Sequence, residues 1–376
     1  MKTILLLFLA FISPFIYGQN NQTSVLKNPT KFNNLIQENN VWNKQIFIGN
    51  SKTGKPIYGY YFNNGGIDKA MIIAGVHGSE FYGVDLALKV RDSLTNLKVK
   101  KCSWKILIIP ELFTDNVKLG RDHIFETNYG RSTCTQCKGQ NPKCEYCTDP
   151  NRQMPSFEKE YIIGQDSSFN NKKIEIENQY LLFITQKFKP SRIASLHCKN
   201  SELKEEIGIY ADPRTDNKNI VKDYSTDALL TIKMAFLVLN NGGIIYGNFP
   251  KTQNYSFDFF DYEGKNKISV ERFDNFKYVS ALYPQDSKIS IENKKQKRSY
   301  EENAEKGISF GTWASTDIVK SKKLIKKAST ILTFELPQYK MFFSQNDDKT
   351  SLNKKLLELN TQAYLKSIIV GFLDIK

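Results

Sequence analysis

An unbroken apolar run over residues 70–76 ends on a histidine and is followed at once by a helical repeat, and no other feature of the chain limits its fold as much. A strand without polar alternation is buried on both faces, and such strands belong to parallel sheets covered by helices on either side. From residue 80 to 94 apolar residues recur at helical spacing. Similar strand-like runs follow at 104–109, 193–196 and 331–334. Helical patterns lie over 174–188, stopped by Pro190, over 227–239, ended by Asn240-Asn241-Gly242-Gly243, and over 352–372. Residues 45–48 and 57–62 alternate around Lys52-Thr53-Gly54-Lys55, the pattern of a hairpin. Together these predict a three-layer α/β/α sandwich. Its sheet is mixed, mostly parallel and twisted, with about eight strands and helices on both faces.

Aromatic residues make up 12% of the 376 residues, more than a disordered chain carries, and the mean hydropathy of −0.45 excludes a polytopic membrane protein. Residues 1–18 read as a secretory signal: Lys2 is the positive start, 4–15 is apolar, and Gly18 precedes a cut at Gln19. The apolar run is shorter than the roughly 20 residues that span a bilayer. The mature chain, 19–376, is therefore expected to be secreted or periplasmic, as one catalytic domain without a transmembrane anchor. A cysteine-rich insertion near 122–150 and a longer one within 200–306 elaborate it.

Lys and Arg number 53 against 39 Asp and Glu, a net charge of +14. The basic runs at 294–298 and 320–323 lack interleaved aromatics or a recognition motif, so no nucleic-acid partner is expected. They read as solvated faces, and the lysine excess suits proximity to an anionic wall or membrane. Cys134, Cys137, Cys144 and Cys147 form two Cys-x-x-Cys knuckles, suited to a structural zinc or, in an oxidising compartment, to two disulfides. Cys198 is either a core thiol or half of a disulfide with Cys102.

The chain has only three histidines, His77, His123 and His197. His77 and His197 end predicted strands, where α/β sheets place their ligand sites. Glu80 follows His77 by three residues, on a turn entering a helix, so the two can share one metal ion. With His197 they make a three-ligand zinc site that leaves a fourth position open, the pattern of a catalytic centre.

These residues fall within motifs that resemble the zinc carboxypeptidase family, and more closely its murein peptide amidase branch. Gly75-Val-His-Gly-Ser-Glu80 resembles the family's first zinc motif, and Ser195-Leu-His197 the strand carrying its third ligand. Between them, Asp115-Asn-Val-Lys-Leu-Gly-Arg121 resembles the segment leading to an oxyanion arginine, and Asp149-Pro-Asn-Arg-Gln-Met-Pro155 a substrate-carboxylate element. Gly307-Ile-Ser-Phe-Gly-Thr-Trp313 and Thr333-Phe-Glu-Leu-Pro337 resemble the closing pair.

The resemblance implies one catalytic zinc held by His77, Glu80 and His197, with Glu335 as general base. It implies Arg121 as the oxyanion cation, with Arg131 as its rival, and Asn151 and Arg152 as holders of a substrate carboxylate. Leu112-Phe-Thr and Gln153-Met154 depart from the family pattern, and no residue matches its substrate-covering tyrosine. The implied function is an exported zinc metallopeptidase, a carboxypeptidase or amidase, acting on peptides such as peptidoglycan stem peptides. Two alternatives stand beside it: a zinc deacylase resembling succinylglutamate desuccinylase and aspartoacylase, and a catalytically silent envelope protein that binds peptide.

Overall fold

The computed structural model describes residues 23–97, 102–124, 148–156, 159–199, 206–212, 214–216, 219–220, 224–248, 257–260, 267–270, 307–343 and 351–375. The leader-like segment, Arg131 and the four knuckle cysteines lie outside these residues.

The apolar runs form the centre of the sheet. Strand β3 (Asp68–Ala74) lies between β4 (Trp104–Ile109) and β5 (Arg192–Lys199), and all three are parallel. Strand β7 (Thr330–Pro337) continues the parallel set beyond β5. Antiparallel strands close both edges: β1 (Val41–Asn50) and β2 (Pro56–Asn63) on one side, β6 (Gly208–Asp212) on the other. Among the described residues the order is β1-β2-β4-β3-β5-β7-β6, seven strands. The remaining described strands pair only with each other, as at 318–320 with 323–326.

Because successive residues of a strand face opposite sides, the runs divide cleanly between two cores. Ala70, Ile72, Ala74, Ala194, Leu196, Leu332 and Phe334 pack with helices α2 (Phe81–Asn96), α5 (Tyr224–Asn240) and α7 (Ser351–Lys366). Met71, Ile73, Ile193 and Ile331 pack on the other face with α1 (Pro29–Leu35), α4 (Ile176–Phe188) and the short α6 (Phe310–Ala314). Three layers result, as expected. Much of the stretch expected as elaboration is core: β6 joins the sheet, and Met234, Ala235 and Val238 of α5 are fully buried.

The alternation also sorts the polar residues. On β5, Ile193, Ser195 and His197 share one face; on β7, Ile331, Thr333 and Glu335 share it too. Parallel register sets Glu335 beside His197 and Thr333 beside Ser195. On β6 the same face carries Gly208, Tyr210 and Asp212, opposite Glu335, Thr333 and Ile331 respectively. The face that is apolar near the strand starts thus becomes polar toward the carboxyl ends of the parallel strands.

Cys102 and Cys198 are free thiols buried in the same core, so the disulfide alternative between them is set aside. Burial pushes the Cys198 thiol well above its ordinary pKa. Another buried group, Lys326, donates to the carbonyls of Ala314 (3.1 Å) and Thr316 (2.6 Å), closing the end of α6. Burial lowers its pKa to about 7.

Candidate metal centre and cleft

The chain turns at Gly75 after β3, and His77 stands in extended backbone just before a single helical turn, Gly78–Glu80, that leads into α2. The helix α3 (Thr114–Asp122) presses on that turn. A Cβ on Gly78 would lie 1.8 Å from the Asn116 carbonyl oxygen, and one on Gly120 would lie 2.2 Å from the Gly78 oxygen. Two side-chain-free residues are therefore what lets α3 hold the turn, and with it Glu80, against the sheet.

His77, Glu80 and His197 are 3%, 3% and 6% exposed. The Nδ1 atoms of the two histidines lie 2.9 and 2.8 Å from the two Glu80 carboxylate oxygens. One ligand atom from each residue falls within 4.8 Å of the others, the one such group of metal-binding side chains among the described residues. The outward Nε2 atoms are also engaged. That of His77 is 2.9 Å from Asp149 Oδ1, and that of His197 is 3.1 Å from Ser195 Oγ. Each ring is thereby oriented with Nδ1 toward the common point, the arrangement that fixes a metal-ligating imidazole.

Three charged or polarisable groups buried together are costly unless they compensate one another. Burial works against the Glu80 carboxylate, yet His77 and His197 hold its pKa well below the usual carboxylate range. Burial likewise disfavours the His77 imidazolium, but Glu80 and Asp149 outweigh it and raise its pKa to about 9. The site is therefore a strongly negative pair of carboxylates wrapped around two imidazoles, a place built to hold positive charge. Two nitrogens and one carboxylate oxygen suit zinc, and the remaining direction opens to the cleft.

That cleft has a volume of about 360 Å³. Of the residues singled out in the sequence, His77, Glu80, His197, Glu335, Asn151 and Arg152 all line it. Glu335 is 8% exposed, and its Oε1 lies 4.0 Å from Lys199 Nζ. Asn151 accepts from the Phe310 backbone N–H through Oδ1 (2.9 Å), which ties the Asn151–Arg152 turn to the start of α6.

Arg121 is placed elsewhere, which corrects the expectation of an arginine inside the cleft at that position. It lies on the flank of α3 facing α2, where Asp85 pairs with its guanidinium and the Phe81 ring lies beneath it at 5.2 Å. The Asp85 carboxylate, meeting both terminal nitrogens of the guanidinium, holds the side chain on this flank. Its rival, Arg131, falls outside the described residues.

Sequence reasoning passed over Asp149 and Ser195 as site residues. Asp149 also accepts from the Asn151 backbone N–H at 2.7 Å, so one carboxylate orients both the His77 ring and the Asn151–Arg152 turn. Its only sequence signal was its place at the head of Asp149-Pro-Asn-Arg152. Ser195 had the strand alternation, which puts it on the face of His197.

No protein-family model matches the chain, and no curated protein matches its sequence. Solved structures that resemble it include carboxypeptidase A from Helicoverpa armigera, 12% identical over 88% of this chain and 67% of that one, with a TM-score of 0.45. Bovine thrombin-activatable fibrinolysis inhibitor, solved with a tick carboxypeptidase inhibitor, is 16% identical over 93% and 98%, with a TM-score of 0.44. Murein-tripeptide amidase from Escherichia coli O157 is 14% identical over 86% and 94%, with a TM-score of 0.36. Likenesses this faint leave the chemistry to be read from the side chains.

Proposed function

We propose that this chain is a zinc-dependent hydrolase of peptide amide bonds, a carboxypeptidase or amidase working outside the cytoplasm, with cell-wall stem peptides among its substrates. The observation that carries this reading is the convergence of His77, Glu80 and His197 on one point, with Glu335 beside His197 in the same cleft. Nδ1 of each histidine and the Glu80 carboxylate would hold the ion, and Asp149 and Ser195 would keep the rings in place. A zinc ion so bound supplies Lewis acidity toward a carbonyl and lowers the pKa of water toward 7.

The chain's own groups do the rest. Glu335 is the carboxylate positioned to take a proton from the attacking water and return it to the leaving amine. The Lys199 ammonium lies 4.0 Å from that carboxylate and 2.9 Å from Glu206. Arg152, which also lines the cleft, offers a planar fork for a substrate carboxylate, and Asn151 holds its turn in register with α6.

The test is turnover of stem peptides, ordinary peptides and N-acyl amino acids by the full chain, with added zinc and with chelator, products followed by mass. Chelator-sensitive peptide cleavage is expected, and Glu335→Gln should abolish it while zinc stays bound. Zinc-dependent cleavage of N-acyl amino acids alone would overturn the reading in favour of a deacylase. An active Glu335→Gln variant would remove Glu335 from the chemistry.

A further inference from the structure

A second cavity, of about 540 Å³, lies at the other end of the parallel strands and shares no lining residue with the cleft. The first residue of each parallel strand lines it: Asp68 of β3, Trp104 of β4, Arg192 of β5 and Thr330 of β7. Residues from the end of α4, the start of α5 and the 324–329 segment leading into β7 complete it. Its charges do not balance. Lys189, Arg192, Arg214 and Lys327 stand against two acids, Asp68 and Asp227. Asp227 is committed already: it is buried, and it accepts from Arg214 Nε at 2.5 Å and from the Thr330 hydroxyl at 2.7 Å. Lys326 also borders the cavity, but it donates to the Ala314 and Thr316 carbonyls.

Arg192 is half-buried, with its guanidinium 4.8 Å from the centre of the Trp104 ring and Nη1 donating to the Phe372 carbonyl at 3.1 Å. No carboxylate pairs with it among the described residues. Asp374, Asp227 and Asp68 act on it only through space, and burial outweighs them and lowers its pKa. Lys69, the second residue of β3, is crowded in the same way: burial, then Lys105 and Lys189, lower its pKa. A guanidinium withdrawn from water is costly without an anion beside it. Stacked on a ring, its planar fork is held in place to take two oxygens of one ligand.

We propose that this cavity binds a phosphate monoester, with Arg192 taking two of its oxygens and Lys189 and Lys327 meeting the remaining charge. Four basic side chains against two acidic ones leave an excess of two positive charges there. A phosphate monoester, at about −1.5 to −2 near pH 7, matches that excess, whereas a carboxylate carries a single charge. The cavity is larger than a phosphate group alone fills, and Pro190, Leu230 and Leu324 give the alcohol half of the ester apolar contacts. The inference stands apart from the hydrolase reading, since no residue of the cleft takes part.

The test is calorimetric titration of the full, zinc-loaded chain with glycerol 3-phosphate, inorganic phosphate, glycerophosphoglycerol and acetate at matched ionic strength. One saturable site for glycerol 3-phosphate is expected, with acetate and the singly charged phosphodiester at least about tenfold weaker. The diester arm separates a free monoester from the linkage of a phosphate-bearing polymer. Arg192→Gln should weaken the monoester at least about tenfold. Because Arg192 also supports Phe372 and Trp104, a second variant is needed: Lys327→Gln alters an exposed side chain, leaves those contacts intact and should cost about threefold. Monoester binding that keeps its full strength in Lys327→Gln would place the phosphate elsewhere, on the zinc for example, and overturn the inference. Acetate or the diester binding as tightly as the monoester would overturn it too, as would the absence of saturable binding at millimolar ligand.

Discussion

Replacing Lys326 by methionine tests how the wall of the cleft is held. Lys326 is 5% exposed, its ammonium is 5.0 Å from the centre of the Trp313 ring, and it donates to two carbonyls at the end of α6. Burial lowers its pKa from 10.5, Asp317 offsets only part of that, and the balance is about 7. Between pH 7 and 10.5 the unfolded chain therefore holds more protons than the folded one. Stability attributable to this residue must rise with pH through that window and be lowest below pH 7.

At about 1.4 kcal/mol per pH unit, the change from pH 7 to pH 9 is on the order of 2 kcal/mol. Lys326→Met removes that dependence and leaves the Ala314 and Thr316 carbonyls without this donor, at a cost of about 1–3 kcal/mol. Its destabilisation should consequently be larger at pH 9 than at pH 7, by about 2 kcal/mol. Urea unfolding of both proteins at the two pH values measures this directly. An equal gap at both would refute the argument, because it would mean that Lys326 ionises alike in the folded and unfolded chains.

Two further outcomes follow from the metal centre. Asp149→Ala should weaken zinc binding about 10- to 100-fold in a chelator competition, since the His77 ring loses its anchor; Asp149→Asn, which can still accept from the Asn151 N–H, should lose less. Gly120→Ala forces a methyl group against the Gly78 carbonyl, so a loss of about 1–3 kcal/mol in urea unfolding is expected together with weaker zinc binding. Intact zinc affinity in that variant would show that α3 does not position Glu80.

Much of the fold was legible because strand and helix leave different spacings in a sequence. The run at 104–109 matches β4 residue for residue, and the repeat at 174–188 contains all of α4. The run at 70–76 overshoots β3 by two residues, because Gly75 and Val76 are apolar but belong to the turn that delivers His77. The stretch after residue 200 was hardest to read. Strand β6 is only five residues long, and its membership of the sheet depends on pairing with β7, more than a hundred residues away.

The three converging residues were legible for a similar reason. His77 and Glu80 are close in sequence, and His197 ends an apolar strand, so local pattern alone places all three at one end of a sheet. Arg121 shows the limit of that reasoning. Its sequence position fits a cleft cation, but its destination was decided by Asp85 and Phe81 on a helix packed beside it.

What the sequence determined by itself is the layered α/β architecture and the identity of the groups that converge, because periodicity and residue chemistry are local properties. What only the tertiary structure decided is which groups meet: Glu335 beside His197, Asp149 behind His77, and Asp212 against Thr333. Those are facts of strand register and loop approach, and contacts between residues far apart in the chain leave no spacing to read.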